Sequence, residues 1–405
     1  MTVEEPYVRP SQSTHSRDGT PDSDATNFPE VANLFETKAG DYAWKSFGVT
    51  TADLYQLTLF RMVGSHSEST RRSKYPRSKG PILFVHGFAT DSVTWFNKSD
   101  DAQVIAAAQL FQQGYDVWFA NMRGSEFSRE HYNLDADEND ATYWSFDTKK
   151  KNEQDMKAII RRIKEVSTTC RKITLVGHSV GGQAVTTALA ASRYADKYVQ
   201  QAVLLEPCWI ANVDNLTALT VNDYFGLSNS LKFLGIESLY GPNWESQKEQ
   251  LCGLYPDLCP TLINFKIFDY KNNLGESQEI CVKEAETLMQ NYYQDRYQPF
   301  ANYYTQGMVT TPEINLANIS SAIPIKIQWT TEDELCPLDK QRKFADRLPN
   351  KSEKFVTSEY RTNELHHGQA SFRNDAEWMS ILNGLLGSKV EDMAESDCTT
   401  RGFYW

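Results

Sequence analysis

Three kinds of residue in this chain of 405 have types and spacing that suit chemistry: a serine between glycines, two adjacent histidines far downstream, and a run of carboxylates between them. The serine lies in Gly177-His178-Ser179-Val180-Gly181. A serine hydroxyl is a poor nucleophile until a base takes its proton and donors meet the developing oxyanion, so its placement matters more than its identity. Before it runs the apolar, β-branched Lys172-Ile173-Thr174-Leu175-Val176, and after it the helix-forming Gln183-Ala184-Val185-Thr186-Thr187-Ala188-Leu189-Ala190-Ala191. Strand, tight turn and helix in that order hold Oγ clear of the backbone, with Gly177 and Gly181 letting neighbouring chain pass close by. The helix adds its N-terminal amides and partial positive charge. The five-residue pattern alone is weak, since a glycine-rich turn can carry an idle serine; the flanks give it weight.

A nucleophilic serine needs a base, and the base needs an orienting acid. In α/β-hydrolases these follow in chain order Ser, Asp or Glu, His. Only His366 and His367 lie downstream of Ser179, so the base is one of two neighbours. The acid belongs just after a strand ending near Trp329, where Thr330-Thr331-Glu332-Asp333-Glu334 offers several carboxylates. Asp333 is the first candidate and Glu332 the second, against a solvated surface charge as the bland reading. Pro81-Ile82-Leu83-Phe84-Val85 reads as a short buried strand running into His86-Gly87-Phe88. Loops at the carboxyl ends of parallel strands carry the chemistry of such sheets, so the amides of Phe88 and Val180 are the candidate oxyanion donors. The set suits acyl transfer through an acyl-enzyme.

The elements that must position these residues alternate as strand and helix. Val49–Met62 reads as an edge hairpin, Asp101–Gln112 and the amphipathic Asn152–Val166 as helices, and Tyr115–Ala120 and Val199–Pro207 as strands. Asn121-Met122-Arg123-Gly124-Ser125 is a polar turn expected to brace the site. Alternation stops after residue 207 and resumes with Ile323–Trp329, helix 338–347, strand Lys354–Tyr360 and helix Asn374–Leu386. Between them, Leu216–Tyr240 carries more apolar surface than a solvated loop needs. The division expected is a disordered segment 1–28, a core in two parts, 29–207 and 319–388, an inserted cap 208–318, and a tail 389–405. The fold class is α/β, a mostly parallel central sheet with helices on both faces.

Forty per cent apolar residues suffice for a sizeable core, and a net charge of -12 leaves no basic surplus for nucleic acid. No apolar run reaches the length of a membrane span. Met1-Thr2-Val3-Glu4-Glu5-Pro6 lacks the basic and apolar regions of a signal peptide. Seven cysteines leave at least one unpaired in the monomer and show no zinc spacing, so neither metal nor cofactor is expected. Cys252 and Cys259, close in sequence, are the candidate disulfide, against two reduced cysteines in a loop. Oligomeric state is open.

The segment Gly114-Tyr115-Asp116-Val117-Trp118-Phe119-Ala120-Asn121-Met122-Arg123-Gly124-Ser125-Glu126-Phe127-Ser128-Arg129-Glu130-His131 resembles the G-Y-D-V-W-x-x-N-x-R-G-x-x-x-S-R-x-H stretch of the eukaryotic acid lipases, which include gastric and lysosomal acid lipase. His86-Gly87-Phe88 with Trp95 is similar to that family's H-G-L loop and trailing Trp, and Tyr143-Trp144-Ser145-Phe146 to its F-W-x-F. The likeness covers about residues 30 to 388. It implies His367 as the base, by its spacing from Asp375-Ala376, and a cap disulfide at Cys252 and Cys259. It further implies a triacylglycerol or cholesteryl ester substrate at a lipid–water interface, an acidic working pH, and a secreted or lysosomal setting. The sequence departs from the pattern at Val180, where the family has Gln, at Thr330-Thr331-Glu332-Asp333, where the approach is glycine-rich, and at His367-Gly368-Gln369, which stands for His-Leu-Asp. The same triad would serve an esterase or thioesterase on smaller acyl groups. A catalytically silent hydrolase fold that binds lipid or protein is the reading from another class.

Overall fold

The computed structural model describes residues 28–37, 39, 42–65, 78–96, 105–137, 140–167, 169–212, 235–241, 278–302, 310–356, 367–372, 376–388 and 390–394, with scattered positions at 231, 244, 246–247, 249, 253 and 307. The expectations for residues 1–27, His366, Cys252, Cys259 and the tail beyond 394 lie outside them, as does most of Leu216–Tyr240.

Among the described residues eleven strands follow one another: β1 Tyr42–Thr50, β2 Tyr55–Ser65, β3 Gly80–Val85, β4 Tyr115–Ala120, β5 Glu130–His131, β6 Ile173–His178, β7 Val199–Leu205, β8 Ser238–Leu239, β9 Ile280–Cys281, β10 Ile325–Thr330 and β11 Lys351–Val356. Nine form one sheet in the spatial order β1-β2-β4-β3-β6-β7-β10-β11, with β5 on the flank of β2. From β4 to β11 every pairing is parallel, and β1 and β2 add an antiparallel edge. β8 and β9 make a separate two-stranded ribbon.

The central strands are buried on both faces, as the apolar runs of the sequence demand. Side chains alternate between two cores. Leu83, Val85, Trp118, Ala120, Leu175, Ala202 and Leu204 point to one, which holds Met156, Ile159, Ile160 and Ile163 of the helix Thr148–Val166 and Val185 and Leu189 of the helix Val180–Ala191. Ile82, Phe84, Val117, Phe119, Val176, Val203 and Leu205 point to the other, covered by the helices Pro29–Thr37, Ala106–Gln112 and Ala376–Leu386. A third cluster gathers Phe88 and Ala89 with Leu231, Ile236, Leu239, Trp244, Met289 and Leu335.

The hairpin expected at Val49–Met62 is β1–β2, reaching back to Tyr42 because the antiparallel register runs from Thr50–Gln56 to Tyr42–Ser65. β11 begins three residues before the strand read at Lys354. Among the described residues β11 pairs with β10 alone, and at such an edge the polar Lys351-Ser352-Glu353-Lys354 gives hydropathy no onset to find. No strand of the main sheet comes from 208–318 among the described residues, and β10 pairs directly with β7. Residues 391–393 pack beside the start of β6: Lys172 N–H donates to the Glu391 carbonyl and Met393 N–H to the Cys170 carbonyl, both at 2.8 Å.

The chain leaves β3 for β4 on one side and returns to β6 on the other. The order reverses between β3 and β6, and in such sheets the crevice opens at the carboxyl ends of those two strands. The loop from His86 and Ser179 both start there.

Candidate active site

Ser179 sits one residue past β6 with φ 56° and ψ -125°, a conformation an L-residue adopts only under constraint. The constraints are visible. Its N–H donates to the Leu205 carbonyl at 2.9 Å, and its own carbonyl accepts from Gly182 N–H at 2.9 Å and Cys208 N–H at 3.2 Å. A Cβ on Gly181 would stand 2.4 Å from the carbonyl oxygens of Val85 and His86, and one on Gly177 would stand 2.5 Å from the Gly181 oxygen. Close passage of three backbones, read from the two glycines in the sequence, is therefore what the turn requires.

The loop after β3 lies against the serine: a Cβ on Gly87 would meet Ser179 Cβ and His178 Nδ1, each at 3.3 Å. Phe88 is buried, and Val180 opens the following helix, so its amide is among the four that lack an acceptor within that helix. The loop is pinned from below. Met122 N–H donates to His86 Nε2 at 3.0 Å, and burial drives the His86 pKa down to about 3, so the ring is a neutral acceptor there. Ser92 N–H donates to Asn121 Oδ1 and Asn121 Nδ2 to the Thr58 carbonyl, both at 3.0 Å.

Arg123 explains why the polar turn after β4 braces the site. Its guanidinium is buried between Asp155 of the long helix, with Nε to Oδ1 at 2.7 Å, and Asp53 of the β1–β2 turn, with two bonds of 2.8 and 2.9 Å. Burial would raise the Asp53 pKa, but the hydrogen bond and charge of Arg123 overcome it and hold the carboxyl at about 2. The longest stretch of family resemblance, 114–131, thus forms the scaffold under the site and contains none of the reacting groups.

His367 and Asp333 meet. Asp333 follows β10 by three residues and is 7% exposed; His367 is 2% exposed, and its Nδ1 lies 2.6 Å from Asp333 Oδ2. Asp333 Oδ1 accepts the Cys336 N–H at 2.7 Å, which fixes the carboxylate. Protonated at Nδ1, the imidazole keeps a lone pair on Nε2. Burial lowers the His367 pKa, yet the charge and hydrogen bond of Asp333, with Glu206 and Glu334 beyond, outweigh it and leave the pKa raised. Glu332, the second candidate acid, is an exposed residue of the turn, and the carboxylate on His367 Nδ1 is that of Asp333.

No hydrogen bond among the described residues joins Ser179 to this pair. Among the described residues the Ser179 hydroxyl makes no hydrogen bond, and His367 Nε2 faces Cys336 Sγ at 3.9 Å. The His178 and His367 rings are 5.0 Å apart.

Two features escaped sequence reading. Cys336 is bonded to Cys208, a bridge across 128 residues that ties the segment after β7 to the acid loop. Cys170 is bridged as well, and among the described residues the free thiol is the buried Cys281, which donates to the Trp144 carbonyl. Glu206 follows β7 directly, with φ 49°, and is 1% exposed. A lone carboxylate closing an apolar strand was the available signal for it.

A family model described as alpha/beta hydrolase fold matches residues 80–360. Triacylglycerol lipase 1 of Arabidopsis thaliana is 26% identical over 341 residues, 79% of this chain and 82% of that one. Lipase 1 of Drosophila melanogaster is 23% identical over 78% of this chain and 71% of its own, and lipase lipl-3 of Caenorhabditis elegans 34% identical over 33% and 31%. The chain belongs to the alpha/beta hydrolase fold family, and its likeness to these lipases marks it as a carboxylic ester hydrolase.

Proposed function

We propose that this chain hydrolyses lipid esters through Ser179, His367 and Asp333. The observation that carries the reading is the buried His367–Asp333 pair at 2.6 Å, at the same edge of the sheet as the strained serine turn. Substrate binding closes the remaining gap between Ser179 and His367, since catalytic contacts commonly tighten only in the complex. His367 Nε2 then takes the Oγ proton as Oγ adds to the ester carbonyl carbon. The amides of Phe88 and Val180 receive the oxyanion, and Asp333 steadies the imidazolium. Collapse breaks the ester bond, and His367 hands its proton to the departing alcohol oxygen. Water, deprotonated by the same ring, adds to the acyl carbon; Oγ leaves with that proton and the fatty acid is released. No cofactor enters these steps.

The substrate is a long-chain ester presented at a lipid–water interface, triacylglycerol or cholesteryl ester. The support is the apolar cluster of Phe88, Ala89, Leu231, Leu239, Trp244 and Leu335, against which Val180 packs beside the serine. Each methylene withdrawn from water there contributes ~0.8 kcal/mol. On this reading 208–318 is a cap, and the resemblance favours a secreted or lysosomal setting. Hydrolysis of p-nitrophenyl esters from acetate to palmitate tests the chain length. kcat/KM should rise with acyl length; a maximum at acetate would reduce the activity to that of a small-ester esterase.

A further inference from the structure

We infer that Glu206 is a positioning residue that holds the three catalytic loops in register, because its one carboxylate is bonded to a neighbour of each proposed catalytic side chain. Oε2 accepts Gly368 N–H at 2.5 Å and lies 3.2 Å from His178 Nε2, and Oε1 accepts the Thr330 hydroxyl. Gly368 follows His367, His178 precedes Ser179, and Thr330 ends the strand that leads to Asp333. The backbone repeats the pattern: Glu206 N–H donates to the Gln328 carbonyl and Ser179 N–H to the Leu205 carbonyl, both at 2.9 Å. The inference rests on the triad reading above.

The carboxylate has an electrostatic consequence too. No lysine or arginine bonds it among the described residues, so neutral donors alone hold a buried charge beside the histidines. Ligand atoms of His178, Glu206 and His367 lie within 4.8 Å of one another. Burial would raise the Glu206 pKa, but the His178 hydrogen bond and the nearby imidazoles win and hold it low, so the group stays ionised. Burial lowers the His178 pKa against the pull of Glu206, so His178 is the neutral donor in the pair. His367 is therefore faced by Asp333 on one side, by Glu206 and His178 on another and by Glu334 farther off, and two of its carboxylate neighbours are buried. An imidazolium formed on His367 during the reaction is stabilised by both.

The test is the pH profile of Glu206→Gln beside the wild type and Ser179→Ala. Glutamine keeps an acceptor for Gly368 and His178 and loses the charge. The acid limb of kcat/KM should move to lower pH by at least about half a unit, because removing a nearby negative charge lowers the pKa of a histidine that must be neutral to act. KM should hold. A Glu206→Gln profile superimposed on the wild type overturns the inference, while loss of activity in Ser179→Ala keeps the triad reading intact. Conversely, a lowered His367 imidazole titration in the NMR spectrum of Glu206→Gln, with Ser179→Ala still active, would sink the triad reading and leave the placement of Glu206 standing. If Glu206→Gln does not fold, Thr330→Val decides: a several-fold fall in kcat at constant KM supports the hub, and an unchanged kcat overturns it.

Discussion

On the proposed mechanism, His367 sets the pH behaviour expected of the enzyme. The base must be neutral, and its pKa is raised above the ordinary histidine value of about 6.5 by Asp333 and its neighbours against the opposing effect of burial. kcat/KM for a soluble ester should therefore fall with decreasing pH along a limb whose midpoint lies above about 6.5, contrary to the acidic working pH that the family resemblance implies. A flat profile down to about pH 5 would show that His367 is not the titrating base. The same shift acts on stability with a fixed sign. A group whose pKa is raised on folding contributes fully below its unfolded value, and that contribution is lost as pH rises through the folded value. Of the residues singled out in the sequence, the close passage at Gly177 and Gly181 was legible from strand–turn–helix grammar, and the meeting of Asp333 with His367 from chain order and the family resemblance that favours His367 over His366; the catalytic roles of Ser179, Asp333 and His367 are proposals. Glu206 was not legible, because its partners lie 28, 124 and 162 residues away, two at the ends of strands and one in the turn after His367, and only the fold assembles them.

At the scale of elements, the turn after β4 is the brace on which the reactive loops rest. Arg123 is wholly buried, and so is Asp155. Replacing Arg123 with Met removes one partner of a buried pair and leaves the Asp155 carboxylate uncompensated, a change that costs about 3–5 kcal/mol. Urea unfolding should show that loss, and with it a loss of turnover, since Met122 beside it holds His86 and the loop that carries Phe88. Unfolding within 1 kcal/mol of wild type, on the order of a surface substitution, would contradict the brace. Strands and helices were readable where they are buried on both faces and their apolar periods are plain. The start of β11 was not readable, because Lys351-Ser352-Glu353-Lys354 holds no apolar residue to reveal the alternation in burial that the strand has.

Across the whole molecule, the sheet order brings the carboxyl ends of β3, β6, β7 and β10 to one rim, and the Cys208–Cys336 bridge locks two of them together. A link closing a loop of this length restricts the unfolded chain by about 4–5 kcal/mol in the chain-entropy account. The double variant Cys208→Ala/Cys336→Ala should therefore melt well below the wild type and lose activity ahead of global unfolding, because the Cys336 amide fixes Asp333. An unchanged Tm would contradict that. The bridge was hidden from sequence reading, which favours cysteines close in the chain; these two are far apart in sequence and adjacent only after β7 and β10 pair. The central claim is that Ser179 carries the acyl group. Its most direct measurement is labelling with a long-chain fluorophosphonate, followed by peptide mass spectrometry and by assay of Ser179→Ala on the same acyl length. The account predicts a single adduct on Ser179, lost together with ester hydrolysis in Ser179→Ala. Hydrolysis near the wild-type rate by Ser179→Ala, or an adduct on another residue, would contradict it.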